Sequence, residues 1–394
     1  MVHVAKPSTK DGNRAVSPHA TTAANQPAES PCPRPQRLHS LDVARGLMLI
    51  VSVGVNAWYT APAWFQHADW FGVHPIDWVF PVFVTLTGCG LGMAFHRRVP
   101  LRQVVQRVLV LTAVGFVYTL WYQWLTLKHL DLTALRWTGV LQFYAALVLV
   151  IAVLHVVLRR WWLWLPVSLL GAAVVTWWLH GFAQGCPEGM LTRECNPSKI
   201  VDLAVFGQHT VVAAEGHDTV GLVAMAGAMV SVGMGAVAGH IMILRRGWLT
   251  VMGLLATAGT AYAAWVITAD YVPTMKRLWT APFAFMIAAP VFAVVALLFT
   301  LLDRKPSGRI ARGLSWPLIA LGRNSLLVYF GSHMLTITLI LWPAEKPLVL
   351  LDRFVAGLPA IINGSPMTTF VVGCVAAWWA LAALLHWRGI YLRP

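Results

Sequence analysis

From residue 38 onward the chain alternates long apolar runs with short polar breaks, and the runs share one length. Charge-poor stretches close to the ~20 residues that cross a bilayer recur at 43–62, 76–96, 104–126, 138–158, 162–181, 219–243, 248–269, 279–302, 315–342 and 367–386. Such runs read as helices, because a helix satisfies its own backbone polar groups inside hydrocarbon. The pattern predicts an all-α, polytopic membrane helix bundle of ten transmembrane helices. The apolar stretch 347–362 is broken by Asp352 and Arg353 and followed by Asn363-Gly364-Ser365-Pro366. A re-entrant or interfacial helix is the preferred reading there, with an eleventh span as the alternative. No internal repeat of the kind that marks many transporters is visible.

Residues 1–37 break the pattern. They are rich in Pro, Ala, Ser and Thr and carry no apolar run that could serve as a signal peptide or a core. They read as a disordered cytoplasmic tail ahead of a membrane domain at 38–394.

Composition agrees with the pattern. The chain is 58% hydrophobic and 11% charged, with a mean hydropathy of +0.66, far from the ~25% charge of a soluble domain. Its net charge of +14 invites a nucleic-acid reading until the charges are placed. Assigning loops to alternate sides puts 20 Lys and Arg on the side of the tail, 8 on the other, and Arg323 inside a span. Only Asp11, Glu29, Asp42 and Asp303 fall on the basic side. Positive charge collects in cytoplasmic loops, so both termini are expected in the cytoplasm. Orientation accounts for the charge, and the expected partner is the lipid bilayer, not nucleic acid. The loops 62–75, 181–218 and 270–278 then face outward.

Cysteine usage is sparse. Cys89 and Cys374 lie in spans and Cys32 in the tail, while Cys186 and Cys195 share an outer loop. A disulfide and two free thiols are even alternatives for that last pair. No CxxC or HExxH pattern occurs, so no metal site is expected.

Candidate chemistry concentrates around the first two spans. Asn56 lies 14 residues beyond Asp42, about 21 Å along a helix, near the outer mouth. His67 follows in the outer loop and Asp77 at the start of the next span. Acyl transfer needs a base, an oxyanion donor and a group that orients the base. An imidazole suits the first role, an Asn amide the second and a carboxylate the third. Structural roles stand beside these. Asn56 is able to bond a neighbouring helix, Asp77 to cap the second span, and Asp42 to cap the first with Arg45 beside it. Trp58, Trp64, Trp70 and Trp78 fit an interfacial belt as well as a sugar-stacking surface.

Several segments resemble the heparan-alpha-glucosaminide N-acetyltransferase family in order and spacing. LDVARG at 41–46, VN at 55–56, HADW at 67–70 and DWVFP at 77–81 are similar to that family's LDVFRG, VN, HASW and DLVFP. LRWTGVLQ at 135–142 is similar to LRIPGVLQR, with Phe143 where the family has Arg. GCPEG at 185–189 and FGQH at 206–209 resemble the second outer loop, where the family's DPEG is degraded to EGHDTVG. VPTMKRLWTAPFAF at 272–285 and LGRNSLLVYFGSHM at 321–334 are similar to IPINKNLWTSSF and GMNSILVYVGHE.

The resemblance implies an acetyl-CoA-dependent N- or O-acetyltransferase. It would carry acetyl from cytosolic acetyl-CoA to an amino sugar or glycan on the outer face. It implies His67 as catalytic base, with Asn56 beside the acetyl group, while Asp77 as the orienting group rests on the residue pattern alone. It places Arg136, Lys276, Trp279, Asn324 and His333 along the donor's path. A multi-pass protein of a bacterial plasma membrane, with a homodimer among the permitted assemblies, fits the same reading. A transporter or flippase of an envelope precursor and a non-catalytic membrane partner are the rival readings. The outer loops depart from the family, so the acceptor is not carried over.

Overall fold

The computed structural model describes residues 37–158, 160–244, 247–304, 308–342, 347–361 and 364–392. The tail expected at 1–37 lies outside the described residues apart from Arg37. Among the described residues the chain is helical, its one strand-like feature a single bridge between Gly72 and Met275.

Helix α1 spans His39–Ala57, four residues earlier than its apolar run suggests. Asp42 therefore sits inside the first turn and is not the expected N-cap. The capping role falls to a residue remote in sequence. Asp303 accepts the backbone N–H of His39 at 2.9 Å and of Ser40 at 2.8 Å, meeting donors that every helix start leaves open. Asp42 is instead buried, 3.8 Å from Arg45 and 3.5 Å from Arg323.

A turn at Pro75–Trp78 leads into α2, Val79–Ala94. Then come α3 (Leu101–Leu127), α4 (Val140–Val157) and α5 (Trp164–Gln184). Two short helices, α6 (Ser198–Phe206) and α7 (Val212–Glu215), order the following loop. They are succeeded by α8 (Leu222–Ile243), α9 (Trp248–Ala269) and α10 (Ala281–Leu302).

The expected span at 315–342 is broken. It forms α11 (Arg309–Arg323) and α12 (Ser325–Leu341), bent by 66° at Asn324. Helix α13 (Pro347–Ala356) has 10 residues, about 15 Å of rise against a ~30 Å hydrocarbon core. It does not span, so the eleventh crossing is not formed. Helix α14 (Pro366–Trp387) closes the bundle. Nine helices among the described residues are long and apolar enough to cross a membrane, and the bent pair makes up to ten.

Helix α8 is the axis of the bundle, with most of its residues buried. It meets α2 through small residues. A Cβ on Gly235 would lie 2.2 Å from the Thr85 carbonyl oxygen, and one on Gly88 2.3 Å from that of Val232. Backbones this close exchange dispersion contacts that lipid does not provide, the usual basis of helix association in membranes.

Three imidazoles tie α4 and α8 to the residues just past α2. His155 Nδ1 lies 2.8 Å from the Ile151 carbonyl, which only accepts, so that nitrogen carries the proton. His155 Nε2 then accepts from His240 Nε2 at 3.3 Å, and His240 Nδ1 accepts from His96 Nδ1 at 2.9 Å. One carbonyl thus dictates the tautomers of all three rings.

Candidate functional site

The loop after α1 and the turn before α2 build the site. Trp58 packs on Phe65 with ring centroids 5.3 Å apart, folding the chain back so that His67 meets Asp77. His67 Nδ1 is 2.6 Å from Asp77 Oδ1. A carboxylate only accepts, so Nδ1 carries the proton and Nε2 keeps its lone pair. The His67 side chain is 47% exposed and the Asp77 side chain 1%, so the base is reachable while its orienting group is sealed.

Asp77 serves two ends at once. Its Oδ2 accepts the backbone N–H of His74 at 2.9 Å and of Ala68 at 3.2 Å. The first of these bonds is the carboxylate half of a capping box at the helix start. One carboxylate thus closes the capping box and holds the His67 ring.

Lys276 enters from the loop between α9 and α10. Its Nζ lies 3.1 Å from both Asp77 Oδ1 and His67 Nδ1, so two donors converge on one oxygen. Burial draws the Lys276 ammonium below the usual lysine value, and Asp77 opposes that shift. The resemblance pointed to Lys276 only for the donor's path. Its contact with the His–Asp pair carries no local sequence signal, because 199 residues separate it from Asp77.

Neighbouring loops brace this pair. Gly72 bridges Met275, Arg277 Nε donates to the Ala68 carbonyl at 3.0 Å, and Trp70 Nε1 donates to the Leu191 carbonyl at 2.8 Å. Arg193 donates to the Asp69 carbonyl at 2.8 Å and pairs with its carboxylate. Cys186 and Cys195 form a disulfide, which decides between the two alternatives left open by their spacing. His67, Ala68 and Gly72 are thus met from the loop between α9 and α10, and Asp69 and Trp70 from the loop between α5 and α8.

The remaining candidates are dispersed. Asn56 lies one residue before the end of α1 and is half-buried, and no hydrogen bond among the described residues joins it to His67. Arg136 Nη2 donates to Asp218 Oδ1 at 2.9 Å and its Nε to Thr138 at 2.9 Å, so the cation meets a loop carboxylate. Thr138 and Thr210 also donate to Asp218, at 2.5 and 2.7 Å.

Trp279 is fully buried. Its Nε1 donates to Ser231 at 3.1 Å, and its ring meets Phe80, Phe143 and Phe283. A Cβ on Gly227 would lie 1.6 Å from the Trp279 carbonyl oxygen, so α8 reaches this loop only because position 227 has no side chain. Asn324 is buried at the α11–α12 break, next in chain to the Arg323 that reaches Asp42. His333 stacks on Tyr118, with centroids 5.6 Å apart at 27°. The structure thus gathers His67, Asp77 and Lys276 and distributes the other five.

The chain is 24% identical over 368 residues to heparan-alpha-glucosaminide N-acetyltransferase of Homo sapiens, the match covering 76% of this chain and 53% of that protein. It is 23% identical over 371 residues to the Mus musculus protein of the same name, covering 76% and 54%. The chain spans about half the length of the curated relatives it matches. No family model matches it.

Among the described residues no cluster of three His, Cys, Asp or Glu is arranged to hold a metal ion. A cleft of about 570 Å³ opens beside the His67 loop, lined by Arg193, Lys199, His217 and Arg277 among others. An apolar void among α1, α12, α13 and α14 measures only about 20 Å³, close to the size of a single water, and offers no room for a substrate.

Proposed function

We propose that this chain is a membrane-embedded acetyltransferase that moves acetyl from acetyl-CoA to an amino sugar or glycan on the His67 side of the membrane. The observation that carries the reading is the exposed imidazole of His67 held at Nδ1 by the buried Asp77, with Lys276 against both. Similarity to a named N-acetyltransferase across most of this chain supports the same chemistry.

In this mechanism His67 Nε2 takes a proton from the attacking amine or hydroxyl as its N–C or O–C bond to the acetyl carbon forms. The C–S bond then breaks, and the imidazolium returns the proton to the departing thiolate. Asp77 holds the ring in the tautomer this requires and balances the imidazolium as it forms. Lys276 helps hold Asp77 in place through the same oxygen that His67 meets. The Asn56 amide is assigned to the developing oxyanion, a contact worth about 3 kcal/mol where it is made. A route through an acetyl-imidazole uses the same Nε2, and release of CoA before acceptor is added distinguishes it. The charge asymmetry of the loops supports entry of the donor from the cytoplasmic side, with its phosphates near exposed cations such as Arg97 and Arg98.

The test uses purified protein with labelled acetyl-CoA and a glucosamine acceptor. Acceptor-dependent CoA release is expected from the parent and not from His67→Ala. Full activity in a normally folded His67→Ala protein would sink the mechanism.

A further inference from the structure

The cleft beside the His67 loop has unmet hydrogen-bonding capacity. His217, one of its lining residues, is 1% exposed. Its Nδ1 lies 3.0 Å from the Glu215 carbonyl, which only accepts, so Nδ1 carries the proton. Nε2 is therefore an acceptor, and it is buried with no partner. Arg193 Nε, on the same lining, is a buried donor with no partner, although its Nη2 holds Asp69. Buried polar groups are seldom left open. The orphan acceptor and the orphan donor belong to two side chains that line one cleft, and a ligand that offers both partners would satisfy them.

Charge narrows the ligand. The lining carries Arg193, Lys199 and Arg277 against Glu194 and Glu215, and Asp69 already neutralises Arg193. Three cations face three carboxylates, so the cleft has no excess charge with which to attract a polyanion. Carboxylates and guanidiniums in balance are suited to hydroxyl groups, which donate to one and accept from the other. The volume of about 570 Å³ lies within the usual range for small-ligand sites.

The cleft is also tied to the reactive pair. Arg277 follows Lys276 in the chain and holds the Ala68 carbonyl next to His67. The His217 ring meets Trp70 edge-on, centroids 5.1 Å apart at 85°. One loop, 67–70, carries His67 at one end and at the other packs Trp70 on His217, a residue that lines the cleft.

We infer that this cleft seats the acceptor, and that it takes a hydroxyl-rich sugar unit of no net excess charge, not a polyanionic glycan. The inference rests on the acetyl-transfer reading for its chemistry and on the cleft for its specificity. The orphan His217 Nε2 accepts from a ligand hydroxyl or amine, and Arg193 Nε donates to a ligand oxygen. Lys199 and Glu215 grip from the solvent side.

The test uses full-length protein in nanodiscs with a glucosamine disaccharide as probe. Lys199→Met with Glu215→Gln removes two lining charges, and neither side chain touches His67, Asp77 or Lys276. The acceptor KM is expected to rise about tenfold or more, since bonds to charged groups are being removed, while the KM for acetyl-CoA stays put. The parent's acceptor KM is expected to change little between about 50 and 500 mM salt, because a balanced site has little net field to screen. An unchanged acceptor KM in the double variant overturns the inference. So does a strong preference for the O-sulfated disaccharide that salt abolishes.

If the parent releases no CoA, saturation-transfer NMR reads the cleft without the reaction. Disaccharide binding that the double variant loses then upholds the cleft while the transfer reading fails. Absence of binding overturns the cleft as well.

Discussion

Asp77 Oδ1 lies 2.6 Å from His67 Nδ1, and through this bond the carboxylate that closes a capping box also holds an exposed imidazole. Removing the base is expected to abolish acetyl transfer. Asp77→Asn replaces an acceptor with a group that can also donate, which releases the ring's tautomer, and should lower kcat by about 10²–10⁴-fold. Initial rates of CoA release check both, with size-exclusion profiles showing that the variants remain folded.

Lys276→Met leaves the buried Asp77 without its ammonium. The expected loss is about 1–3 kcal/mol of stability, with a larger effect on kcat than on the KM for donor. Lys276→Arg keeps the charge and should recover part of both. Thermal melts and steady-state kinetics on the three proteins give the answer. A Lys276→Met protein as stable and as active as the parent would show that the contact at 3.1 Å contributes nothing.

His217 makes the loops around the cleft sensitive to acid. Burial is the main cause that lowers its imidazole below the ordinary 6.5; the Arg277 charge adds to it, and the bond to the Glu215 carbonyl opposes it. Below 6.5 the unfolded chain binds a proton that the folded chain refuses, so stability falls as pH drops. The contribution is complete above 6.5 and is lost progressively beneath it. The melting temperature of the parent should therefore fall more steeply from about pH 7 to 5 than that of His217→Gln, as scanning fluorimetry would show.

The Cys186–Cys195 bridge closes a short loop beside the cleft. Its removal by Cys186→Ser with Cys195→Ser should cost about 2–3 kcal/mol in the chain-entropy limit. The damage should be local, and limited proteolysis is expected to cut the variant between residues 185 and 218 before any helix of the bundle.

Orientation is open to direct labelling. Ala63 is exposed in the loop before His67 and Arg102 is exposed near the start of α3. Charge asymmetry predicts that a membrane-impermeant thiol reagent reaches Ala63→Cys from outside and Arg102→Cys only after permeabilisation. The opposite pattern would invert the topology and with it the side on which the acceptor is met.

The number and class of the spans were legible in the sequence, because the bilayer imposes a length and an apolar content that each segment must meet on its own. The meeting of His67 with Asp77 was foreseeable too, as an imidazole and a carboxylate ten residues apart on either side of one short loop. What needed the tertiary structure was everything that depends on partners distant in the chain. Asp303 rather than Asp42 caps α1, because the end of α10 arrives beside it. Lys276 joins His67 and Asp77 across the bundle. The break at Asn324 divides a run that hydropathy alone reads as continuous, since apolar content is indifferent to a 66° bend. The stretch of chain from Ser40 to Gly88 shows which chemistry is present. Three loops meeting over it decide which of those groups touch, because proximity across a bundle is a property of packing that no local pattern encodes.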